Sequence, residues 1–206
     1  MGEKARIGVM DSGVGGLTFV RELLALCPGA DILYFGDSAN CPYGNQTRER
    51  ILDLTYRTLS FLQQSKIHVA VIACNTSPLF SVVAPVAEAV AHSGARRVGV
   101  LGTEFTIAVG TYQRLIQQVN PAIEVVGKGS SSLAAMVDQG APAQEIQGEI
   151  QSCFGPLLNR NPPEVVILGC THYPIVKDFF TRRYPNIEFL DPAVEQAKVV
   201  AHWLEQ

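Results

Sequence analysis

Short runs of apolar and β-branched residues alternate along the chain with longer segments in which apolar residues recur at helical spacing. The short runs predict strands at residues 6–10, 31–35, 69–73, 81–84, 98–101, 123–126, 165–168 and 187–190. Several are apolar on both faces, as in a parallel sheet covered by helices on each side. The longer segments predict helices at residues 16–26, 47–64, 104–119, 144–158 and 193–205. This alternation is typical of the α/β class.

Two pairs of segments resemble each other across the chain. Residues 69–76 (VAVIACNT) match residues 165–172 (VVILGCTH), and residues 7–12 (IGVMDS) match residues 98–103 (VGVLGT). The offsets, 96 positions between the two cysteines and 91 for the second pair, are nearly equal. They predict two similar doubly wound parallel-sheet domains related by pseudo-two-fold symmetry, with the active site in the cleft between them. The alternative is that any two buried strands look alike.

The same pattern places the domain boundaries. We predict a first α/β domain at residues 1–95 plus 187–206 and a second at residues 96–186, with the C-terminal helix returning to the first. The 206 residues are enough for two cores of about 100 residues each.

Composition excludes several classes of protein. With 47% hydrophobic and 17% charged residues, the chain is globular rather than disordered. The 16 basic and 19 acidic residues are scattered and give a net charge of -3, so no basic face is available for nucleic acid. No apolar run reaches 18 residues, and the first residues lack the apolar stretch of a signal peptide. We therefore expect a cytoplasmic protein without a membrane or nucleic-acid partner.

The cysteine pattern argues against a structural metal site. The five cysteines form no C-x-x-C pair, and no histidine stands at zinc-finger spacing. Most free thiols in a reducing compartment are small buried hydrophobes. The cysteines are Cys27, Cys41, Cys74, Cys153 and Cys170.

Two of these thiols follow predicted strands directly. Cys74 and Cys170 stand at the carboxyl ends of strands, where parallel sheets bind ligands. A nearby helix N-terminus can lower a thiol pKa from about 8.5 toward neutrality, so we expect usable proton acceptors. If the two halves face each other, the thiols approach one cleft from opposite sides. That geometry suits removal of a proton from one face of a carbon and its return to the other.

Three further features stand at the same predicted sheet edges. The glycine-rich turn at residues 11–16 is either an anion cradle or a tight turn. Tyr43 is either a substrate contact or a loop anchor. Asp37 either orients a neighbouring group or caps its loop.

Taken together, the motifs resemble those of the glutamate racemases, within the aspartate/glutamate racemase superfamily. They are DSGVGGL at residues 11–17, GD at 36–37 with PYG at 42–44, ACNT at 73–76 and GCTHYP at 169–174. They occur in family order and span most of the chain. The short C-N-T and C-T motifs are shared with aspartate and hydantoin racemases, whereas the full set strongly favours glutamate.

The resemblance implies a cofactor-independent racemase that interconverts L- and D-glutamate, the latter a precursor of peptidoglycan. It implies that Cys74 acts on the D-enantiomer and Cys170 on the L-enantiomer, with Asp11 and His172 as auxiliary catalytic residues. It further implies no cofactor, no metal and a possible homodimer. The residues implied to bind the substrate are Asp11, Ser12, Tyr43, Gly44, Asn75, Thr76, Thr171 and His172.

The chain departs from the family pattern in two places. The helix that usually follows the first thiol is largely missing, because residues 77–83 lead almost at once to a predicted strand, and Pro78 would interrupt a helix there. Its loss predicts a less shielded Cys74. In the second half, Asp138 stands where the family has a glutamate, one methylene longer.

Two other functions therefore remain open. One is a racemase of aspartate or another small acid. The Tyr-Pro pair at residues 173–174, directly after the second thiol motif, argues against it. The other is a shortened, inactive homologue that binds a small acidic ligand or a partner protein.

Overall fold

Seven strands form two parallel sheets in the computed structural model, which describes residues 5–76 and 83–205. The first sheet has the order β2-β1-β3 and the second the order β5-β4-β6-β7. All pairings are parallel, with Met10 opposite Ile72 in the first sheet and Gly102 opposite Gly169 in the second. The strands are β1 (Arg6–Asp11), β2 (Asp31–Gly36), β3 (Val69–Ile72), β4 (Arg97–Thr103), β5 (Glu124–Ser130), β6 (Val165–Gly169) and β7 (Glu188–Leu190).

The two sheets share one topology. In each, the first strand along the chain pairs with the second on one side and with the third on the other, and the second sheet adds β7 beside β6. The segments that resemble each other in sequence thus occupy equivalent strands, β1 with β4 and β3 with β6. The predicted α/β class and its two similar parallel-sheet halves are confirmed.

Helices cover the sheets, and most of them fall where the apolar periodicity predicts them. Their bounds are α1 (Leu17–Leu26), α2 (Arg48–Gln64), α3 (Val83–Ala91), α4 (Glu104–Val109), α5 (Thr111–Val119), α6 (Leu133–Asp138), α7 (Ala143–Glu149), α8 (Gly155–Arg160), α9 (Lys177–Arg183) and α10 (Pro192–Leu204). The described residues contain no helix that is both long enough and apolar enough to span a membrane.

Two predicted helices are interrupted. The helix predicted over residues 104–119 is divided at Gly110, whose φ of 66° is left-handed and ends α4 before α5 begins. The helix predicted over residues 144–158 continues from α7 into α8 through a π-helical turn, Ile150–Phe154. The short helices α6 and α9 were not predicted, because six or seven residues show too little of the helical period.

The strand predicted at residues 81–84 is wrong in its described part. Residues 81 and 82 lie outside the described residues, and Val83 begins helix α3. The buried residues of this helix recur at helical spacing: Val83, Val86, Ala87 and Val90. The strand was predicted from the short β-branched run alone, without this longer period. The shortened segment itself, residues 77–82, lies outside the described residues. The loss of shielding predicted for Cys74 is not observed, because that residue is only 2% exposed.

The boundaries of the two halves differ from the predicted ones. Helix α3 packs against α5 and the second sheet, although it precedes residue 96. Strand β7 pairs with β6, so residues 188–190 belong to the second sheet rather than to the first half. The division into two domains is a prediction that these contacts modify.

The C-terminal helix α10 packs on the first half. Ala193 and Ala197 are buried against residues of β1, β3 and α1, and the Gln196 side-chain amide donates a 3.2 Å hydrogen bond to the carbonyl of Ile72. Because Ile72 ends the strand that leads to Cys74, this helix supports the first thiol segment from behind.

We predict that Ala197→Leu lowers the free energy of unfolding by about 1–3 kcal/mol, because a larger side chain does not fit a fully buried site. Val199→Ala, on the 55% exposed face of the same helix, should change it by less than about 0.5 kcal/mol. Urea unfolding of both variants measures the difference. Equal values would contradict the docking of α10.

Candidate active site

The two thiols lie at equivalent carboxyl ends of the two sheets. Cys74 comes two residues after β3 and Cys170 directly follows β6. Their exposed fractions are 2% and 5%, so both are buried in the structure. They line a common cavity, as the sequence predicts for two halves that face each other.

The cavity collects most of the predicted substrate-binding residues. The cavity has room for about one water molecule, because the volume open to the centre of a water is only about 10 Å³. The cleft is therefore nearly closed. Its wall consists of Ser12, Pro42, Tyr43, Gly44, Cys74, Asn75, Thr76, Thr103, Ala134, Cys170, Thr171 and His172.

Three wall residues were not predicted. Thr103 is the counterpart of Ser12 in the second half, so the internal repeat was a signal that could have found it. Its hydroxyl lies 3.4 Å from that of Thr76 and 2.9 Å from that of Thr106. Pro42 belongs to the PYG motif but was not named as a substrate contact, and Ala134 has no signal in the sequence.

The first thiol is surrounded by polar groups of the first half. Cys74 Sγ lies 3.5 Å from Ser12 Oγ, at hydrogen-bonding distance for sulfur. The next residue, Asn75, accepts a hydrogen bond from the hydroxyl of the buried Tyr112 in α5. Asn75 is thereby fixed by the second half of the molecule.

Asp11 lies behind the cavity wall rather than in it. It is fully buried, and its carboxylate accepts hydrogen bonds of 3.1 Å from the backbone N–H of Gly13 and from the hydroxyl of Thr171. Asp11 thus connects the loop after β1 to the loop after β6. Its predicted catalytic and substrate-binding roles stay predictions.

The second thiol stands beside an imidazole that a carboxylate orients. Nδ1 of His172 lies 3.9 Å from Cys170 Sγ, and Nε2 lies 3.1 Å from Asp138 Oδ1. The His172 side chain is 1% exposed. Asp138, at the end of α6, therefore reaches the site even though its side chain is short.

Tyr173 anchors this second loop from the core. Its ring is fully buried, with its centroid 5.9 Å from that of Phe154, and its hydroxyl donates a 2.9 Å hydrogen bond to the carbonyl of Gly102. Tyr173 is absent from the cavity wall. It fixes the loop that carries Cys170 and His172.

Asp37 holds the loop that carries Tyr43. The Tyr43 hydroxyl donates a 2.8 Å hydrogen bond to Asp37 Oδ2, and the Asn40 amide donates to both carboxylate oxygens at 2.9 and 3.1 Å. Both roles considered for Asp37 are therefore seen in the structure: it orients the hydroxyl of Tyr43, and it caps its own loop through Asn40. Tyr43 lines the cavity with its hydroxyl already engaged.

Two glycines, one in the glycine-rich turn and one in the PYG motif, allow the two halves to approach each other closely. A Cβ atom at Gly15 would lie 2.5 Å from the Thr171 backbone, and one at Gly44 would lie 2.4 Å from Thr103 Cβ. Real Cβ atoms do not approach so closely. At Gly15, the turn packs tightly against the second half.

Burial works against ionisation of the second thiol. Desolvation raises the pKa of Cys170 well above its ordinary value, and the nearby Cys74 and Asp11 add to that shift. The hydrogen bond from the His172 backbone N–H opposes it. The lowered pKa expected from the strand-end position is therefore wrong for Cys170 in this closed cleft, because burial outweighs the local dipoles.

We predict that this thiol makes stability fall at alkaline pH. Unfolded Cys170 has a pKa near 9.0 and loses its proton at lower pH than the folded residue does. The contribution of this thiol to the free energy of unfolding is therefore fully present below pH 9 and decreases as the pH rises above it. Cys170→Ala should make the slope of unfolding free energy against pH shallower by up to about 1.4 kcal/mol per pH unit. Urea titrations between pH 8 and 11 measure it, with Val199→Ala as the control. Parallel slopes for Cys170→Ala and wild type would contradict the prediction.

Comparison with known proteins shows which proteins this chain resembles. A model of the Asp/Glu/Hydantoin racemase family matches residues 7–200. A glutamate racemase from Oceanobacillus iheyensis is 36% identical over 187 residues, which cover 83% of this chain and 68% of the relative.

Solved structures give the same result. A glutamate racemase isoform from Bacillus anthracis superposes with a TM-score of 0.89 at 28% identity, covering 98% of this chain and 82% of the other. The Francisella tularensis glutamate racemase in complex with D-glutamate superposes with a TM-score of 0.88 at 29% identity, over 98% and 81%. The resemblance seen in the sequence motifs is confirmed: the chain belongs to the Asp/Glu/Hydantoin racemase family.

Proposed function

We propose that the protein is a glutamate racemase that exchanges the α-proton of its substrate between two opposed thiols without a cofactor. The observation that carries the proposal is the convergence of Cys74 and Cys170, from equivalent strands of the two halves, on one cavity. The named functions of the relatives support glutamate as the substrate.

The reaction needs one thiolate and one thiol. The thiolate on one face of the α-carbon takes its proton and becomes a thiol. The thiol on the other face then delivers its own proton, which inverts the carbon and leaves a thiolate behind. By the family pattern, Cys74 takes the proton from D-glutamate and Cys170 takes it from L-glutamate.

The charge that develops on the carbanion-like transition state must be held by the site. Without a cofactor to accept electrons, preorganised donors around the α-carboxylate carry this task. The hydroxyls of Ser12, Thr76 and Thr171 and the amide of Asn75 line the cavity and are suited to it. A single donor of this kind contributes about 3–4 kcal/mol of transition-state stabilisation in a site that excludes water.

The two thiols have different neighbours that can assist proton transfer. Beside Cys170, the imidazole of His172 can exchange a proton with sulfur, and Asp138 holds the opposite ring nitrogen. Beside Cys74, the Ser12 hydroxyl is the contact. The substrate ammonium adds a positive charge next to both thiols, which lowers the cost of forming a thiolate there.

Substrate entry requires movement. Glutamate needs more room than a cavity that accommodates about one water, so the two halves separate to admit it. Closure then removes water from the thiols and the α-carbon.

The wider role follows from the product. D-glutamate formed in this way would supply peptidoglycan synthesis. A cytoplasmic location suits this role, and five cysteines in the reduced thiol form fit a reducing compartment. A homodimer remains a prediction of the family resemblance.

We predict that purified protein reduces the circular dichroism of L- or D-glutamate to zero and introduces solvent deuterium at the α-carbon. Glutamate should turn over faster than aspartate in parallel assays. No decay at high enzyme concentration, together with thermal stabilisation by glutamate, would favour a binding protein instead.

We further predict that Cys74→Ser and Cys170→Ser each lower racemisation by at least about 10²-fold, because a hydroxyl is a far weaker base than a thiolate. Cys153→Ser, which alters a partly buried thiol outside the cavity, is the matched control. Wild-type activity in either cavity variant would refute the two-thiol scheme.

A further inference from the structure

A third cysteine lies next to the second thiol site. Cys41 follows the short turn Ser38–Asn40 of the first half, and its Sγ lies 3.9 Å from Nε2 of His172. The same nitrogen lies 3.1 Å from Asp138 Oδ1. One ligand atom from each of Cys41, Asp138 and His172 thus falls within 4.8 Å of the others.

Two of the three ligand separations are close to those of a tetrahedral metal centre. With zinc bonds of about 2.3 Å to sulfur and about 2.0–2.2 Å to nitrogen or oxygen, tetrahedral angles place S and N about 3.6 Å apart and N and O about 3.4 Å apart. The distances in the structure, 3.9 and 3.1 Å, differ from these by about 0.3 Å.

A glycine lies directly beside the three ligand atoms. A Cβ atom at Gly13 would lie 2.8 Å from Asp138 Oδ1, 3.0 Å from His172 Nε2 and 3.1 Å from Cys41 Sγ. Any larger residue at position 13 would therefore contact all three ligand atoms. Glycine at this position lets the three atoms lie close together beside the backbone.

The charge around the three ligands favours a cation. Asp138 is itself a ligand, and the buried carboxylate of Asp11 accepts a hydrogen bond from the backbone N–H of Gly13 beside them. Cys41 and Asp138 are only partly buried, so part of each side chain is in contact with solvent.

We propose that Cys41, Asp138 and His172 bind a thiophilic divalent transition-metal ion, with Zn²⁺ as the best match to the ligand set. Thiolate, imidazole and carboxylate are the ligands that zinc takes in proteins, and a fourth position stays open for water. The sequence spacing gave no sign of this site because His172 lies 131 positions from Cys41 and 34 from Asp138.

The bound ion joins the two halves. Cys41 belongs to the first half, whereas Asp138 and His172 belong to the second. The ion also occupies the His172 nitrogen that Asp138 otherwise holds. Zn²⁺ should therefore keep the cleft closed and inhibit racemisation, a consequence that rests on the proposed function, while binding itself does not.

Binding is tested with Co²⁺ as a spectroscopic probe on the reduced full-length protein. We expect one equivalent of Co²⁺ to give a thiolate-to-metal charge-transfer band in wild type and in the control Cys153→Ser. Cys41→Ser should lose the band, and Asp138→Asn, which keeps the thiol, should bind at least about 10-fold more weakly. Circular dichroism without metal establishes that both variants are folded.

No band in the wild type, or an undiminished band in Cys41→Ser, would overturn the proposal. If Cys41→Ser fails to fold, undiminished affinity in Asp138→Asn would overturn it equally. Inhibition by Zn²⁺ is measured separately as the fractional loss of racemisation. It should be reversed by a chelator and be at least about 10-fold weaker in Cys41→Ser. A protein without racemase activity would refute the proposed function and leave the binding result standing.

Discussion

The close contact between the carboxyl ends of the two sheets is the constraint on which the site depends. It is made where the loop after β1 meets the loop after β6, through the hydrogen bond from Thr171 to Asp11 and the packing of Gly15 against Thr171. This contact brings together two thiols that come from separate sheets. It also seals them from water, so the feature that assembles the proposed acid and base groups is the one that buries them.

Burial has opposite effects on binding and on ionisation. It strengthens every hydrogen bond that hydroxyls and amides of the wall can make to a developing charge. It also raises the pKa of Cys170 and of Cys41, because a thiolate loses its hydration in the cleft. A positive charge offsets that loss, and the ammonium group of the proposed substrate can supply it at Cys170.

Much of the fold and of the candidate site follows from local sequence patterns. Buried β-branched runs and helical periods are local properties, so β1, β3, β4 and β6 were predictable, and the internal repeat indicated their common topology. Gly110, which divides one helix, and α3, which replaces a predicted strand, were not predicted correctly. At Gly110, a left-handed backbone conformation ends the helix. In α3, packing against the second sheet decides for a helix where the short apolar run indicates a strand.

The sequence by itself determined which residues are candidates for the chemistry, because Cys74, Cys170 and the polar residues beside them stand at strand ends that the chain pattern defines. Only the tertiary structure decided how those groups are set against each other. It placed Asp11 behind the wall and set His172 between Cys170 and Asp138. It also brought Cys41 to the same imidazole. The reason is that distances between loops of different sheets, and the degree of their burial, depend on how the two halves pack, which no local pattern in the sequence encodes.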